Sequence, residues 1–275
     1  TYEHRVQVFY DSALHCYQAI MGDRWHHADP DALVAGLPRL RGCEILEERI
    51  VSLVGLAPGA RAIDFGCGVG GPTLHMAKLT GAHFVGVSNN ERLNERARAK
   101  AVEVGMSDRV AFQTLDDLGY KNLPFGDATF DGATFFESVC HVPDKAALFE
   151  ELARVLKPGA RIGGMDWIQR PFGEHQTEAQ ILELMRPVND AISIPWHGTV
   201  EQYRDLLADA GFEVAIARDL YPHVRCWSSV QDDETPAWTT YTGPEQQMFR
   251  RGEEALAAAR RAGVFSIGMW IATKR

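Results

Sequence analysis

The chain lacks several features that would place it in a broad class at once. None of its apolar runs reaches the roughly 20 residues that a transmembrane helix needs. It has no excess of positive charge: the formal net charge is −9 over 275 residues, which argues against a general binder of nucleic acids or anionic membranes. No internal repeat or low-complexity segment divides it. What remains is a globular chain whose 45% hydrophobic content suffices for a substantial core.

Cysteine is scarce and unpatterned. The 5 cysteines are odd in number, scattered, and form no Cys-x-x-Cys pair; they are Cys16, Cys43, Cys67, Cys140 and Cys226. This pattern excludes a disulfide framework and the common zinc-site spacings. We therefore expect reduced thiols in a cytoplasmic protein and no metal-ligating residues.

From Arg61 onward, predicted strands alternate with predicted helices, which is typical of a parallel sheet with helices on both faces. The strands are predicted over 62–65, 83–88, 109–114, 130–136, 160–167, 212–217 and 264–273. We therefore expect an α/β fold with a doubly wound, mostly parallel sheet of seven strands in a single domain. Within it, residues 1–55 would form a helical lid, 56–167 the cofactor-binding core, 168–198 a cap insertion and 199–275 the C-terminal half of the sheet.

The stretch from Ala62 to Pro72 is a predicted buried strand that runs into a glycine loop and a helix. Gly66, Gly68 and Gly71 satisfy G-x-G-x-x-G, which allows a tight turn and close approach to a ligand, and which indicates a nucleotide without saying which one. Asp64 would repel a pyrophosphate and accept hydrogen bonds from an amine. This favours S-adenosylmethionine, while a nicotinamide-dependent oxidoreductase, or an Asp64 that only braces the turn, stays open.

Two further segments carry recognisable motifs. Leu123-Pro-Phe and the later Phe130-Asp131 come at the fourth predicted strand, and Arg154-Val-Leu-Lys-Pro-Gly159 forms the turn into the fifth. With the glycine loop, they make the chain resemble the class I S-adenosylmethionine-dependent methyltransferases over nearly its full length. The resemblance implies the Rossmann-like methyltransferase fold and S-adenosylmethionine as the methyl donor.

Other segments narrow the resemblance within that superfamily. Gly86-Val-Ser-Asn-Asn-Glu91 and Glu137-Ser-Val-Cys-His-Val-Pro-Asp144 are similar to runs in sterol 24-C-methyltransferases and related terpenoid C-methyltransferases, including geranyl diphosphate C-methyltransferase. Phe9-Tyr10-Asp11 and Trp25-His-His also resemble their amino-terminal motif. The resemblance therefore implies C-methylation of a terpenoid or prenylated small molecule in natural-product biosynthesis.

The resemblance also implies a set of cofactor-binding residues. They are Tyr10, Asp64, Gly66, Cys67, Gly68, Ser88, Asn89, Asn90 and, after the third strand, Asp116 or its neighbour Asp117. The family often has an acid where this chain has Ser88-Asn-Asn, and a carboxamide both donates and accepts hydrogen bonds. An Asn before a helix is as often a helix cap, and a loop acid is as often solvated, so both alternatives stay open.

Methylation of an alkene leaves a carbocation, which aromatic faces must shield and which must then lose a proton. Glu137 follows the fourth strand, where ligands of open α/β sheets bind. Its apolar neighbours Thr134-Phe-Phe are expected to raise its pKa and its basicity, so we predict that it is the catalytic base. His141 would share this work or orient the acceptor. The alternatives are a structural acid at 137 and a structural histidine at 141.

The acceptor site is expected to be aromatic. The predicted substrate-binding residues are Tyr17, Trp25, His26, Phe136, Trp167, Phe172 and Trp196. Basic residues that could hold a diphosphate form no tight cluster (Arg170, His175, Arg186, His197, Arg225), which by itself leaves both kinds of acceptor open. The segment 168–200 is sparse in lysine and contains Trp196 and several acids, which favours a neutral acceptor and no Mg²⁺. A prenyl diphosphate with Mg²⁺, an oxygen or nitrogen acceptor, and a binding protein without catalysis stay open. We expect a small-molecule substrate and no nucleic acid; homo-oligomerisation is left open.

Overall fold

The computed structural model describes residues 2–116, 119–170, 177–222, 242 and 246–275. Seven strands form one sheet in the order β3-β2-β1-β4-β5-β7-β6, and β7 alone runs antiparallel to its neighbours. They are β1 Arg61–Phe65, β2 His83–Ser88, β3 Val110–Thr114, β4 Phe130–Phe136, β5 Leu156–Gln169, β6 Phe212–Asp219 and β7 Phe265–Lys274. The predicted seven-stranded, mostly parallel α/β sheet is confirmed.

Helices cover the sheet and its carboxyl edge. In the described part of the chain they are α1 Tyr2–Met21, α2 Pro30–Val34, α3 Arg39–Val54, α4 Gly71–Thr80, α5 Glu91–Glu103, α6 Lys145–Val155, α7 Glu178–Ile192, α8 Val200–Asp209 and α9 Gln246–Arg261. Short 3-10 turns lie at Gly119–Lys121 and Val139–His141. None of these helices is long and apolar enough to cross a bilayer. Cys16, Cys43, Cys67 and Cys140 are buried free thiols, and Cys226 lies outside the described residues.

The largest difference from the predicted boundaries is at β5. The strand begins at Leu156, directly after α6, and not at residue 160. Leu156 pairs with Phe130, and the register then shifts before Gly132 pairs with Arg161. Gly159 takes up that shift with a φ of +80°, a conformation that costs glycine little.

Two glycines allow the amino-terminal segment and the turn after β4 to lie against the glycine loop. A Cβ on Gly66 would lie 2.1 Å from the Cβ of Ser138, and one on Gly71 would lie 2.0 Å from the carbonyl oxygen of Asp23. Strand order reverses between β1 and β4, and ligands of open α/β sheets bind outside the carboxyl ends at such a reversal. Asp64 and Glu137 stand at this point.

Candidate active site

A first cavity, which we name the loop cavity, opens at the carboxyl ends of β1, β2 and β4. It encloses about 1070 Å³ of space, part of it open to solvent. The predicted cofactor-binding residues that line it are Tyr10, Asp64, Gly66, Cys67, Gly68, Ser88, Asn89 and Asp116, together with the predicted aromatic Phe136. Asp117 lies outside the described residues.

Asn90 is not among the residues that line the loop cavity, and its cofactor contact stays a prediction. Its side-chain oxygen accepts a hydrogen bond from the backbone N–H of Leu93 at 3.1 Å and caps α5. Its amide nitrogen donates to Asp11 Oδ1 at 3.2 Å. Both ends of the carboxamide are therefore used to hold α5 and α1.

Asp64 supplies a buried negative charge in the loop cavity. Its side chain accepts hydrogen bonds from Thr73 Oγ1 at 2.5 Å and from Thr134 Oγ1 at 2.8 Å, and Thr134 is its partner across β1 and β4. Burial raises the pKa of Asp64 to about 6, although both threonine hydrogen bonds oppose the rise. A bound cation beside the carboxylate would favour its ionised form.

The residues of the loop cavity fit S-adenosylmethionine. Asp64 offers an anion for the cationic amino acid part, and Ser88 and Asn89 offer hydroxyl and carboxamide groups for a ribose. Leu115 and Tyr120 provide apolar walls suited to an adenine ring. This combination of charge, hydrogen-bonding groups and apolar wall matches a cationic nucleoside better than a pyrophosphate.

A second cavity, the cap cavity, lies under α1, α7 and α9. It encloses about 920 Å³, and Tyr17, Trp25, His26 and Trp167 from the predicted acceptor site line it. Both cavities share one set of residues, Tyr10, Trp25, His26, Glu137 and His141, so these form their junction. Phe172 lies outside the described residues.

Trp196 is not among the residues that line the two cavities, and its acceptor contact stays a prediction. Its indole N–H donates to the carbonyl oxygen of Pro143 at 3.0 Å. The Lys145 Nζ atom lies 4.1 Å from its ring centre, and this cation–π contact stabilises the buried ammonium group. Trp196 therefore packs against the beginning of α6.

Glu137 sits at the junction with its backbone in the left-handed region, at a φ of +50°. Its Oε1 atom accepts hydrogen bonds from the backbone N–H of His27 at 2.5 Å and from His27 Nδ1 at 2.8 Å. Its Oε2 atom accepts one from Trp167 Nε1 at 2.5 Å. Because three N–H groups converge on it, the carboxylate has a fixed direction.

The pKa of Glu137 runs opposite to the prediction. Burial raises the pKa of this carboxyl, as its apolar neighbours suggest, but the charge and hydrogen bonds of His27 outweigh burial and lower it. The deciding partner stands 110 residues away in the sequence. Glu137 is therefore a persistent anion.

Tyr10 and His141 form a second polar pair at the junction. The Tyr10 hydroxyl lies 2.8 Å from His141 Nε2, and His141 Nδ1 lies 3.0 Å from the carbonyl oxygen of Ser193. A carbonyl can only accept, so Nδ1 carries a proton, and burial lowers the pKa of His141 to about 4. The neutral ring therefore accepts a hydrogen bond from the Tyr10 hydroxyl at Nε2.

Sequence reasoning missed several polar residues around the cap cavity. Arg39, Glu253 and Arg260 line it, and Glu253 and Arg260 form a buried ion pair at 3.2 Å. It also missed Glu47, which is buried on α3 and bonded to His26 at 2.9 Å. Glu47 precedes the apolar Ile50 and Val51 by three and four positions, so helical spacing could have placed it on the buried face.

Comparisons with known proteins find similarity to methyltransferases. A methyltransferase domain model matches residues 63–163. The chain is 28% identical over 235 residues to 24-methylenesterol C-methyltransferase 2 of Oryza sativa subsp. japonica, covering 85% of this chain and 63% of that enzyme. It is 29% identical over 232 residues to the 27-O-demethylrifamycin SV methyltransferase of Amycolatopsis mediterranei, covering 84% of this chain and 78% of that enzyme.

The fold also matches a solved structure. Geranyl diphosphate C-methyltransferase from Streptomyces coelicolor A3(2), solved with Mg²⁺, geranyl diphosphate and S-adenosyl-L-homocysteine, superposes with a TM-score of 0.75 at 20% identity, covering 100% of this chain and 98% of that one. At that identity the match supports the fold alone. Together, the methyltransferase domain match over residues 63–163, the methyltransferases among the relatives and the loop cavity support an S-adenosylmethionine-dependent methyltransferase of class I.

Proposed function

We propose that the chain methylates an alkene carbon of a terpenoid or prenylated small molecule. One observation carries the proposal: the buried carboxylate of Glu137 stands where a cavity suited to a sulfonium donor meets an aromatic acceptor cavity. The sterol relative is named for C-methylation, and this supports the same class of reaction here.

S-adenosylmethionine, when bound, supplies an electrophilic methyl group on sulfur. Asp64, Ser88, Asn89 and Asp116 would hold it in the loop cavity. The π electrons of the acceptor alkene form the new carbon–carbon bond while the methyl–sulfur bond breaks and its electron pair stays on sulfur. The neighbouring acceptor carbon becomes cationic, and S-adenosylhomocysteine is the leaving group. Faces of Tyr17, Trp25 and Trp167 in the cap cavity would shield that cation and keep water from it.

Glu137 would complete the reaction by accepting a proton. The proton leaves the carbon beside the cationic centre, and the electrons of that C–H bond form the new double bond. A carbon beside a carbocation is far more acidic than a carboxylic acid, so a carboxylate of low pKa suffices as the base. The hydrogen bonds from His27 and Trp167 aim it at one hydrogen of the acceptor.

The acceptor proposed is neutral. Arg39 donates to the carbonyl oxygens of Arg24 and His26, at 2.6 and 3.0 Å, and Arg260 is paired with Glu253. His26 and His27, which also line the cavity, are bonded to Glu47 and Glu137. Every basic side chain of the described lining is therefore engaged by a carboxylate or carbonyl oxygen of the protein and is not directed at a diphosphate. Arg170 donates to Asp219 and the carbonyl oxygen of Tyr221 and does not line the cap cavity. Mg²⁺ would be needed only with a diphosphate acceptor.

A second candidate function is O-methylation of a small natural product. The Tyr10–His141 pair carries it, because an acceptor hydroxyl that took the place of the Tyr10 hydroxyl could give its proton to Nε2 of the neutral His141 ring. The rifamycin relative is named for an O-methylation step, which supports this alternative.

Two conservative variants separate these functions. With a panel of prenylated and terpenoid alkenes, Glu137→Gln should lower kcat by about 100-fold or more, since general-base contributions reach that size. His141→Gln should lower it by less than about tenfold. Asp127→Asn, an exposed acid before β4, is the matched control and should leave kcat unchanged. The reverse ranking of Glu137→Gln and His141→Gln would favour O-methylation.

A further inference from the structure

A second buried carboxylate, Glu47 on α3, lines neither cavity. Its side chain is fully buried. It accepts hydrogen bonds from Arg24 Nε and His26 Nε2, both at 2.9 Å, and from His75 Nδ1 at 2.5 Å. Burial alone would raise its pKa, but the hydrogen bonds from His26 and His75 and the charge of Arg24 lower it to about 2. Three side-chain donors that converge on one buried carboxylate indicate that Glu47 holds neighbouring groups in place.

His26 is bonded on both sides of its ring. Its Nε2 atom faces ionised Glu47, and its Nδ1 atom lies 2.8 Å from the carbonyl oxygen of His27. Both oxygens are acceptors, so this arrangement requires a proton on each nitrogen of the ring. Glu47 therefore fixes the orientation and the charge of His26 together.

Other parts of the segment between α1 and α2, which contains His26 and His27, also contact α3. Arg39 donates to the carbonyl oxygen of His26 at 3.0 Å, and the Asp29 N–H donates to the carbonyl oxygen of Gly42 at 3.0 Å. The contact is close, because a Cβ on Gly42 would lie 2.8 Å from that of Ala28. The next residue after His26, His27, donates both its backbone N–H and its Nδ1 proton to Glu137. Two consecutive residues thus connect the two buried carboxylates.

We infer that Glu47 is a positioning residue for Glu137: by holding His26, it keeps the N–H groups of His27 on the Glu137 carboxylate and aims that carboxylate at the junction of the cavities. The inference rests on the proposed function in one respect only, that Glu137 is the base that accepts a proton from the acceptor. Among the described residues, the titratable groups that interact with Glu137 are His26 and His27 between α1 and α2, Cys43 on α3, Asp166 on β5, Tyr10 and Tyr17 on α1, and Cys140 after β4.

Glu47→Gln tests the inference, because it removes the charge and keeps the shape. Glu48→Gln is the matched control: it is the next residue of α3, its hydrogen-bond partner Arg41 is at the surface, and its contact with His75 Nε2 is longer, at 3.7 Å. Nitrogen NMR of labelled histidine should show two protonated ring nitrogens for His26 in the wild type and the control, and one in Glu47→Gln. Carbon NMR should show Glu137 titrating at higher pH in Glu47→Gln, since a cation near it is lost. Neither measurement needs a substrate.

Kinetics provide an independent readout. Glu47→Gln should lower kcat by on the order of 10- to 100-fold, as a misplaced catalytic group does. The acid limb of its kcat profile should move to higher pH, which a purely structural defect would not cause. If Glu47→Gln does not fold, His75→Gln carries the test by removing one partner of Glu47, with smaller changes in the same direction. A folded variant with wild-type His26 and Glu137 signals overturns the inference, whatever the substrate proves to be.

Discussion

Asp64 links its own ionisation to cofactor binding. It is 2% exposed, and burial raises its pKa to about 6. A cation bound beside it favours the carboxylate, so binding should release a proton from the protein, and protonation of Asp64 should weaken binding. We therefore expect the affinity for S-adenosylmethionine to fall as the pH drops through about 6.

The size of this effect follows from the two pKa values. If binding returns Asp64 to its ordinary pKa of 3.8, the difference from about 6 corresponds to about 3 kcal/mol. Between about pH 7.5 and about pH 5 the dissociation constant should then rise about tenfold. Asp64→Asn should bind more weakly at neutral pH and show no change over this range.

Titration calorimetry measures both quantities. In buffers of different ionisation enthalpy at about pH 6, binding to the wild type should release about half a proton. The Asp127→Asn control should behave as the wild type. An affinity that stays constant down to about pH 5, or the same pH dependence in Asp64→Asn, would refute the assignment of Asp64 to the cationic part of the cofactor.

Three further predictions concern stability. Gly71→Ala should lower the free energy of unfolding in urea by about 1–3 kcal/mol, because its Cβ would lie 2.0 Å from the Asp23 carbonyl oxygen; an unchanged midpoint would contradict this contact. Trp270→Ala should cost about 3–5 kcal/mol, because the buried indole stacks on Tyr203 at 4.6 Å between ring centres; a loss below about 1 kcal/mol would contradict that packing. Folding lowers the pKa of Glu47 from 4.5 to about 2, so Glu47 should contribute about 3 kcal/mol to the free energy of unfolding above about pH 4.5. This contribution should be lost as the pH falls toward about 2, and parallel acid unfolding curves for the wild type and Glu47→Gln would contradict it.

Short sequence motifs were sufficient to predict which residues lie together in the loop cavity. Asp64, the glycines and Ser88-Asn89 lie at the ends of adjacent parallel strands, so chain order and strand ends suffice to bring them together. The family match then removed the nicotinamide-dependent alternative that the glycine loop had left open. Asn90 caps α5, which is the alternative role that a carboxamide before a helix had left open.

What could not be predicted depends on contacts between distant segments. The pKa of Glu137 follows from His27, 110 residues earlier, and the apolar residues beside it in the sequence indicated the wrong direction. Trp196 was assigned to the acceptor site from its aromatic character. In the structure its ring contacts Lys145, and its indole N–H donates to the carbonyl oxygen of Pro143, just before α6. Roles in catalysis for Glu137 and His141 stay predictions, as do the cofactor contacts.

The site of methyl attachment tests the central claim most directly. The protein should be incubated with S-adenosylmethionine carrying a carbon-13 methyl group and a neutral prenylated or terpenoid alkene, and the product examined by NMR. We predict that the labelled methyl is bonded to a former alkene carbon and that the double bond has moved or been re-formed beside it. A label bonded to oxygen or nitrogen would contradict the account.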